Sequence, residues 1–160
     1  MKIAALQTVS TPDVDRNLDA AAALIAQAAQ QGAQLVSLPE YFCLMGRRDS
    51  DKLDHAEVPG DGPIQSFLSQ QAKPHGLWLI GGTLPLRAGT PERARNACCV
   101  YGPDGTLAAR YDKIHLFRFE TERESYDEAR VLEAGSEPMT VQAGALRIGV
   151  GADQDVSKRR

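Results

Sequence analysis

The sequence predicts a mixed α/β fold in which parallel strands joined by helices are followed by antiparallel hairpins. Two strand–helix–strand periods occupy residues 1–84, and from residue 96 onward the apolar segments become short and alternate with turn signals. The 160-residue chain is 42% hydrophobic and 24% charged, which is a globular composition and the length of one domain or of part of a larger one. These proportions exclude a disordered, collagenous or coiled-coil protein.

The first period consists of an apolar strand over residues 2–8, a helix over residues 16–31 and a buried strand over residues 34–38. Asp13 and Asp15 are both suitable N-cap residues for the helix. Its apolar stripe follows the i, i+4, i+7, i+11 spacing and consists of Leu18, Ala22, Ile25 and Ala29. The length of this crossover predicts two parallel neighbouring strands.

The second period adds a helix over residues 63–73 and a single strand over residues 77–84. Pro63 suits the first helical position, and the core stripe of this helix consists of Ile64, Phe67, Leu68 and Ala72. Residues 41–61 between the two periods are polar, have no clear period and predict a long loop. We expect both helices on one side of the sheet.

Two antiparallel hairpins follow in the last third of the sequence. Strands over residues 97–101 and 106–111 flank a Pro-Asp-Gly turn, and strands over residues 139–141 and 145–150 flank an Ala-Gly turn. A charged loop connects the two hairpins. Two helices cannot cover both faces of a sheet with this many strands. Either one face packs against another sheet or the chain is incomplete.

Charge and hydropathy exclude two classes of partner. The formal net charge is -3 and the isoelectric point is near 5.6, so no broad positive field is available for nucleic acid or for an anionic membrane surface. No apolar run approaches the roughly 18 residues that a membrane span requires. The apolar start is too short for a signal peptide, so we expect a cytoplasmic protein with neither a nucleic-acid nor a membrane partner.

The cysteines favour structural roles and indicate no metal or cofactor. Cys43, Cys98 and Cys99 form an odd set without paired spacing, which argues against disulfides and against zinc. As strand neighbours, Cys98 and Cys99 should point to opposite faces and be buried.

The segment Gly149–Ala152 lacks the third glycine of a dinucleotide motif. We therefore expect no metal and no cofactor.

Three charged residues are candidates for chemistry. Glu40 follows a buried strand at its carboxyl end, where burial would favour a general base, although a capping or surface glutamate fits equally well. Lys113 lies between an aromatic and an apolar stretch. It is either a partly desolvated cation that stabilises an oxyanion or an ordinary edge-strand lysine. Glu128 ends an acidic run that would ordinarily be solvated.

Seven short blocks, weak one by one, are specific in combination. They are Met1–Gln7, Asn17-Leu18, Leu38–Phe42, Gly81–Thr83, Asn96, Pro103–Leu107 and Tyr111–Phe117. With these blocks the chain resembles the first part of a nitrilase-superfamily carbon–nitrogen hydrolase, in the amidase branch that includes omega-amidases and deaminated-glutathione amidases. We therefore assign residues 1–151 to one domain of this kind and residues 152–160 to a divergent C-terminal tail.

The resemblance implies a fold, a reaction and a set of site residues. The fold is an α-β-β-α sandwich, here incomplete, which would cover the open sheet face. The reaction is hydrolysis of a carbon–nitrogen bond other than a peptide bond, in which a small amide becomes a carboxylate and ammonia. Glu40 matches the general base of the family, Lys113 the cation that stabilises the oxyanion and Glu128 the additional active-site glutamate.

The resemblance fails at the nucleophile. Where the family carries a Cys-Tyr-Asp block this chain has Asp153, and none of its three cysteines lies there. A truncation or a change of reading frame near residue 151 accounts for the abrupt end of the resemblance better than divergence does. We expect an inactive amidase-type chain that self-associates through its open sheet edge. The alternative is a non-catalytic module that binds a small amide or carboxylate, or that pairs with another protein.

Overall fold

The computed structural model describes residues 1–121 and 125–152, and it has the mixed α/β architecture that the sequence predicts. Its elements in chain order are β1 (Ile3–Ala5), α1 (Val14–Gln30), β2 (Leu35–Ser37), α2 (Asp51–Asp54), α3 (Pro63–His75), β3 (Trp78–Ile80), β4 (Leu84–Arg87), β5 (Ala94–Tyr101), β6 (Leu107–Asp112), β7 (Arg118–Glu120), β8 (Ser125–Asp127), a 3₁₀ turn (Glu128–Arg130), β9 (Met139–Ala143) and β10 (Leu146–Val150). None of the helices in these ranges is long and apolar enough to cross a bilayer.

The main sheet confirms both predicted crossovers. Strands β1, β2 and β3 lie side by side and run parallel, with α1 and α3 as the connecting helices. Strand β5 is antiparallel to β3 and is also paired with β6, which confirms the first predicted hairpin. Since β5 is antiparallel to both β3 and β6, strand β6 runs in the same direction as β3 and therefore as β2. The carboxyl ends of β2 and β6 therefore lie at the same end of the sheet.

The prediction of one strand over residues 77–84 is wrong, because a bend divides this segment into β3 and β4. Both pieces pair with the same edge of β5, and the ladder shifts by one residue between the Ile80–Val100 pair and the Leu84–Ala97 pair. Gly82 has a φ of +56° at the bend, and a Cβ atom there would overlap the Pro39 carbonyl oxygen. Glycine is required at this position because the chain passes directly against the segment that carries Glu40.

Helix α1 packs on the sheet through a stripe shifted by one residue from the predicted one. Its N-cap is Asp13, whose side chain accepts a hydrogen bond from the Arg16 backbone N–H. The buried residues of the helix are Asn17, Ala21, Ile25 and Ala28. Leu18 and Ala29 flank this line and pack against the core while partly exposed. The buried stripe thus shares Ile25 with the predicted one and begins with a polar residue, Asn17.

Helix α3 begins and ends as the sequence predicts. Pro63 lies in the first turn, and Gly76 closes the helix in the left-handed conformation. Its N-terminal N–H groups are capped from outside by Glu57, whose carboxylate accepts hydrogen bonds from the backbone N–H groups of Ile64 and Gln65. A buried carboxylate at the positive end of a helix stabilises that end.

The sheet divides the core into two layers. On β5, Ala97 and Cys99 face the cluster that contains α1 and α3. Cys98 and Val100 face the opposite cluster, which the β9–β10 hairpin covers. The two adjacent cysteines are therefore buried on opposite faces, as predicted. The second face of the sheet packs against another pair of strands, which is one of the two arrangements that the strand count allowed.

Two segments expected to be loops contain short elements. Residues 41–61 include α2, and the charged segment after β6 includes the small hairpin of β7 and β8. The first strand is also shorter than the predicted residues 2–8, although the Leu6 N–H still donates to the Ser37 carbonyl beyond its end. Their polar sequences have no apolar period that would predict them. Helix α2 packs against the distant strand β4, and β7 and β8 pair with each other.

We expect Gly82→Ala to destabilise the protein by about 2 kcal/mol or more, since the methyl group meets backbone and the residue must keep a positive φ. Gly149→Ala is the matched control, because an added Cβ there meets no atom within 4 Å. Denaturant unfolding of both variants measures the effect. Equal free energies of unfolding for the two variants would contradict the role assigned to the bend.

Candidate active site

The three predicted site residues lie at the end of the sheet where β2 and β6 terminate. Glu40 follows β2 by three residues, Lys113 comes directly after β6, and Glu128 opens the 3₁₀ turn after β8. The structure brings all three side chains into contact. We call Glu40, Lys113 and Glu128 the charged cluster.

Lys113 joins the other two members of the charged cluster. Its Nζ lies 2.8 Å from Glu40 Oε1 and 3.0 Å from Glu128 Oε2, and its side chain is 2% exposed. Burial by itself would lower the pKa of Lys113, but the hydrogen bonds and charges of the two carboxylates outweigh it and raise that pKa. The ammonium group has three N–H bonds, and the third has no acceptor among the residues that the structure describes.

Glu128 is buried, although a charge in an acidic run would ordinarily be solvated. Its Oε1 accepts a hydrogen bond of 2.7 Å from the Tyr41 hydroxyl, and its Oε2 accepts one of 2.8 Å from the Phe117 backbone N–H. Burial would raise the pKa of Glu128, but the bonds from Phe117, Tyr41 and Lys113 lower it overall. These donors keep the carboxylate charged and aimed at Lys113.

The two carboxylate oxygens of Glu40 differ in their surroundings. Oε1 accepts two hydrogen bonds, 2.7 Å from Asn96 Nδ2 and 2.8 Å from Lys113 Nζ. Within residues 1–121 and 125–152, no group donates to Oε2. The Glu40 side chain is 19% exposed, so a molecule from solvent can reach its open side. A carboxylate with one occupied and one open oxygen can accept a proton.

Sequence reasoning assigned no role to two residues that complete this arrangement. Tyr41 has a φ of +54°, its N–H donates to Thr83 Oγ1 at 2.8 Å, and its hydroxyl binds Glu128. Asn96 is 2% exposed and binds Glu40. Both occur in the blocks that carried the resemblance, but an aromatic or amide side chain has no spacing rule that predicts such a contact. A non-glycine residue at positive φ is strained and is often found at functional sites.

A cavity of about 410 Å³ includes in its wall Tyr41, whose hydroxyl donates to Glu128. Tyr41 and Tyr126 form part of its wall, together with Lys52, Arg47 and Arg48. The Lys52 ammonium is buried, 4.9 Å above the centre of the Tyr41 ring and 3.2 Å from the Tyr126 hydroxyl. The wall of this cavity therefore combines aromatic rings and cations with the acidic Asp49 and the apolar Leu44 and Met45.

The cysteine thiols have no described contact with the charged cluster. Cys43 is fully buried, its Sγ donates to the Thr83 carbonyl, and burial raises its pKa to about 12. Burial likewise raises the pKa of Cys99 to about 12 and that of Cys98. All three remain protonated near neutral pH, whereas a nucleophilic cysteine requires the thiolate. Asp153, which occupies the predicted nucleophile slot, lies outside the described residues.

No metal centre is evident in the described part of the chain. There, no group of three or more histidine, cysteine, aspartate or glutamate side chains is arranged to hold a metal ion. His55 and His75 are exposed and lie far along the chain from the charged cluster. The expectation of no cofactor stays a prediction.

Comparison with known proteins gives a consistent family and fold. The carbon–nitrogen hydrolase family matches residues 2–152. A chloroplastic omega-amidase of Arabidopsis thaliana is 37% identical over 150 residues, covering 91% of this chain and 40% of the relative. Saccharomyces cerevisiae Nit3, a member of branch 10 of the nitrilase superfamily, superposes with a TM-score of 0.78 at 28% identity, over 92% of this chain and 53% of that one. An amidase from Nesterenkonia sp. superposes with a TM-score of 0.80 at 27% identity, over 98% and 56%.

These matches bear on both fold and extent. The nitrilase-type α/β fold expected from the resemblance is confirmed by the two solved structures. The chain spans about half the length of the curated relatives it matches.

We expect Glu128→Gln to lower the free energy of unfolding by about 2–3 kcal/mol at pH 7, because the buried Lys113 loses one of its two counter-charges. Folding lowers the pKa of Glu128 below its ordinary 4.5. Its stabilising effect is therefore complete above pH 4.5 and is lost as the pH falls through the folded value.

Denaturant unfolding at pH 7 and at several lower values tests this expectation. The difference between wild type and Glu128→Gln should shrink below about pH 4.5. The control is Glu120→Gln, an exposed glutamate paired with Arg118, which should change stability by at most about 0.5 kcal/mol. A deficit that is the same at pH 7 and pH 3 would show that the charge of Glu128 is not what stabilises the fold.

Proposed function

The chain belongs to the carbon–nitrogen hydrolase family, and we propose that its charged cluster is the acid–base part of an amidase-type site that acts on small amides. The observation that carries this proposal is the buried Lys113 ammonium held between two carboxylates. Among the described residues, one carboxylate has an oxygen that no group donates to, and the ammonium has an N–H bond without an acceptor. A group that can accept a proton thus lies next to a group that can donate a hydrogen bond to an oxyanion.

Glu40 is the residue suited to accept a proton. Its Oε2 has no described donor, and its side chain is reachable from solvent. In the route that the resemblance implies, a thiol gives its proton to Glu40 and the sulfur attacks the amide carbon. Glu40 then returns the proton to the leaving nitrogen, ammonia departs, and water hydrolyses the thioester to release the carboxylate.

Lys113 is suited to stabilise the charge that develops on the carbonyl oxygen. Its remaining N–H can bind that oxygen, and low exposure strengthens the interaction. Glu128 supports this role, because its bonds to Tyr41 and Phe117 fix the carboxylate that holds Lys113. The cation is therefore positioned before any substrate arrives.

We further propose that this chain does not hydrolyse amides by the thioester route. Residue 153 is an aspartate, and the three thiols present are buried and protonated near neutral pH. Removing the nucleophile from a well-studied hydrolase costs on the order of a million-fold in rate. The first half of the mechanism, binding and polarisation of the amide, does not need the thiol.

A second candidate function is a module that binds a small amide or carboxylate without reacting with it. The Lys113 N–H that has no acceptor among the described residues favours this candidate, since it can bind a carboxylate oxygen as readily as an amide oxygen. Self-association through the open sheet edge and a cytoplasmic location stay predictions.

The decisive experiment combines a binding measurement with an activity assay. We expect propionamide to perturb the NMR signals of Lys113 in the purified chain, and Lys113→Ala to weaken binding about tenfold or more through loss of a charged hydrogen bond. Lys73→Ala, at an exposed helix end, is the control that should bind like wild type. Acetate in place of propionamide tests the second candidate function.

Ammonia release from small omega-amides should stay at the uncatalysed rate. Release that survives both Lys113→Ala and thiol alkylation would indicate another mechanism. Release that requires Lys113 and disappears on alkylation would show that one of the three cysteines is the nucleophile. Absence of any Lys113-dependent binding of propionamide or acetate would overturn the proposed function.

A further inference from the structure

Asn96 contacts two members of the charged cluster, Glu40 and Lys113. Its side-chain Nδ2 donates to Glu40 Oε1 at 2.7 Å, and its backbone carbonyl accepts the Lys113 backbone N–H at 2.9 Å. The residue lies on β5 and is 2% exposed. One residue of the central strand therefore fixes the relative position of the proposed base and the proposed cation.

The side chain of Asn96 is not fully satisfied by the fold. Its Oδ1 is buried and accepts no hydrogen bond within the described residues. Rotating the amide by half a turn would place Oδ1 against the Glu40 carboxylate, where two acceptors would repel each other. The charge of Glu40 thus sets the orientation of the amide, and the unsatisfied acceptor is its consequence. A buried group left unsatisfied in this way calls for an explanation other than stability.

Asn17, the other asparagine of the sequence, shows the contrast. It is also buried, but its Oδ1 accepts from the Thr11 N–H and hydroxyl, and its Nδ2 donates to the Thr11 and Cys43 carbonyls. The polar atoms of that side chain join helix α1 to two separate segments, the one before the helix and the one after β2. Asn17 therefore has the contacts of a structural asparagine, and Asn96 does not.

We propose that Asn96 is a positioning residue that selects which oxygen of Glu40 acts as the base. Asn96 and Lys113 both donate to Oε1, so this oxygen is occupied and its basicity is reduced. Oε2 is left as the oxygen that receives the proton. The proposal rests on the proposed role of Glu40 as general base.

Without the Asn96 donor, Glu40 keeps Lys113 as its one described hydrogen-bond partner. The carboxylate is then free to turn about its own axis and present either oxygen to Lys113. The charged and titratable groups around it, Lys113, Glu128, Tyr41 and Tyr126, are the same in wild type and variant. A change in the NMR signal of the Glu40 carboxyl carbon would therefore report the Asn96 amide itself.

The test is the NMR signal of the Glu40 carboxyl carbon in the 160-residue chain at pH 7, assigned by Glu40→Gln. We expect Asn96→Ala to shift this signal, because the hydrogen bond from Nδ2 to Oε1 is lost. Asn17→Ala should leave the signal at its wild-type position. It should also lower the denaturant midpoint more than Asn96→Ala, since it removes fully satisfied hydrogen bonds.

An unchanged Glu40 carboxyl signal in folded Asn96→Ala would overturn the proposal, as would an equal shift in Asn17→Ala. Asn96→Ser serves as a second variant where the alanine variant does not fold, and its shorter donor should give a smaller shift of that signal. This measurement needs no substrate, so it is separate from the binding experiment. Wild type that fails to bind propionamide or acetate refutes the proposed function and leaves the Asn96 result standing.

Discussion

The structure depends on the requirement that one buried ammonium group be neutralised. Lys113 is almost fully buried, and an isolated charge in that position would be strongly destabilising. Glu40 and Glu128 meet this requirement from two distant parts of the sequence. The contacts that close this end of the sheet are thus the same contacts that create the proposed chemistry.

The backbone around the cluster makes this arrangement rigid. Gly82 passes against Pro39, and the Tyr41 N–H is held by Thr83, so the segment that carries Glu40 is fixed on both sides. The Lys113 N–H binds the Asn96 carbonyl, which extends the β5–β6 ladder to the site. A site built from strand ends and tight turns holds its side chains in place before a ligand binds, which lowers the reorganisation needed during reaction.

Much of the fold and part of the site could be predicted from the sequence. Periodic apolar stripes and the lengths between them predict both crossovers and both hairpins, because local burial patterns determine them. The bend at Gly82 could not be predicted, because the chain bends there where it packs against Pro39, which is distant in sequence. The burial of Glu128 and the contact of Asn96 with Glu40 likewise depend on tertiary partners that no spacing rule encodes. The resemblance identified the three charged positions, and the structure shows that Lys113 lies between the two carboxylates.

A double-mutant cycle between Lys113 and Glu128 tests the central claim most directly. The free energies of unfolding of Lys113→Met, Glu128→Gln and the double variant are compared with wild type at pH 7. If the two charges depend on each other, the double variant loses less stability than the sum of the single losses, by about 1–3 kcal/mol. Losses that add within about 0.5 kcal/mol would contradict the claim that this ion pair holds the end of the sheet together.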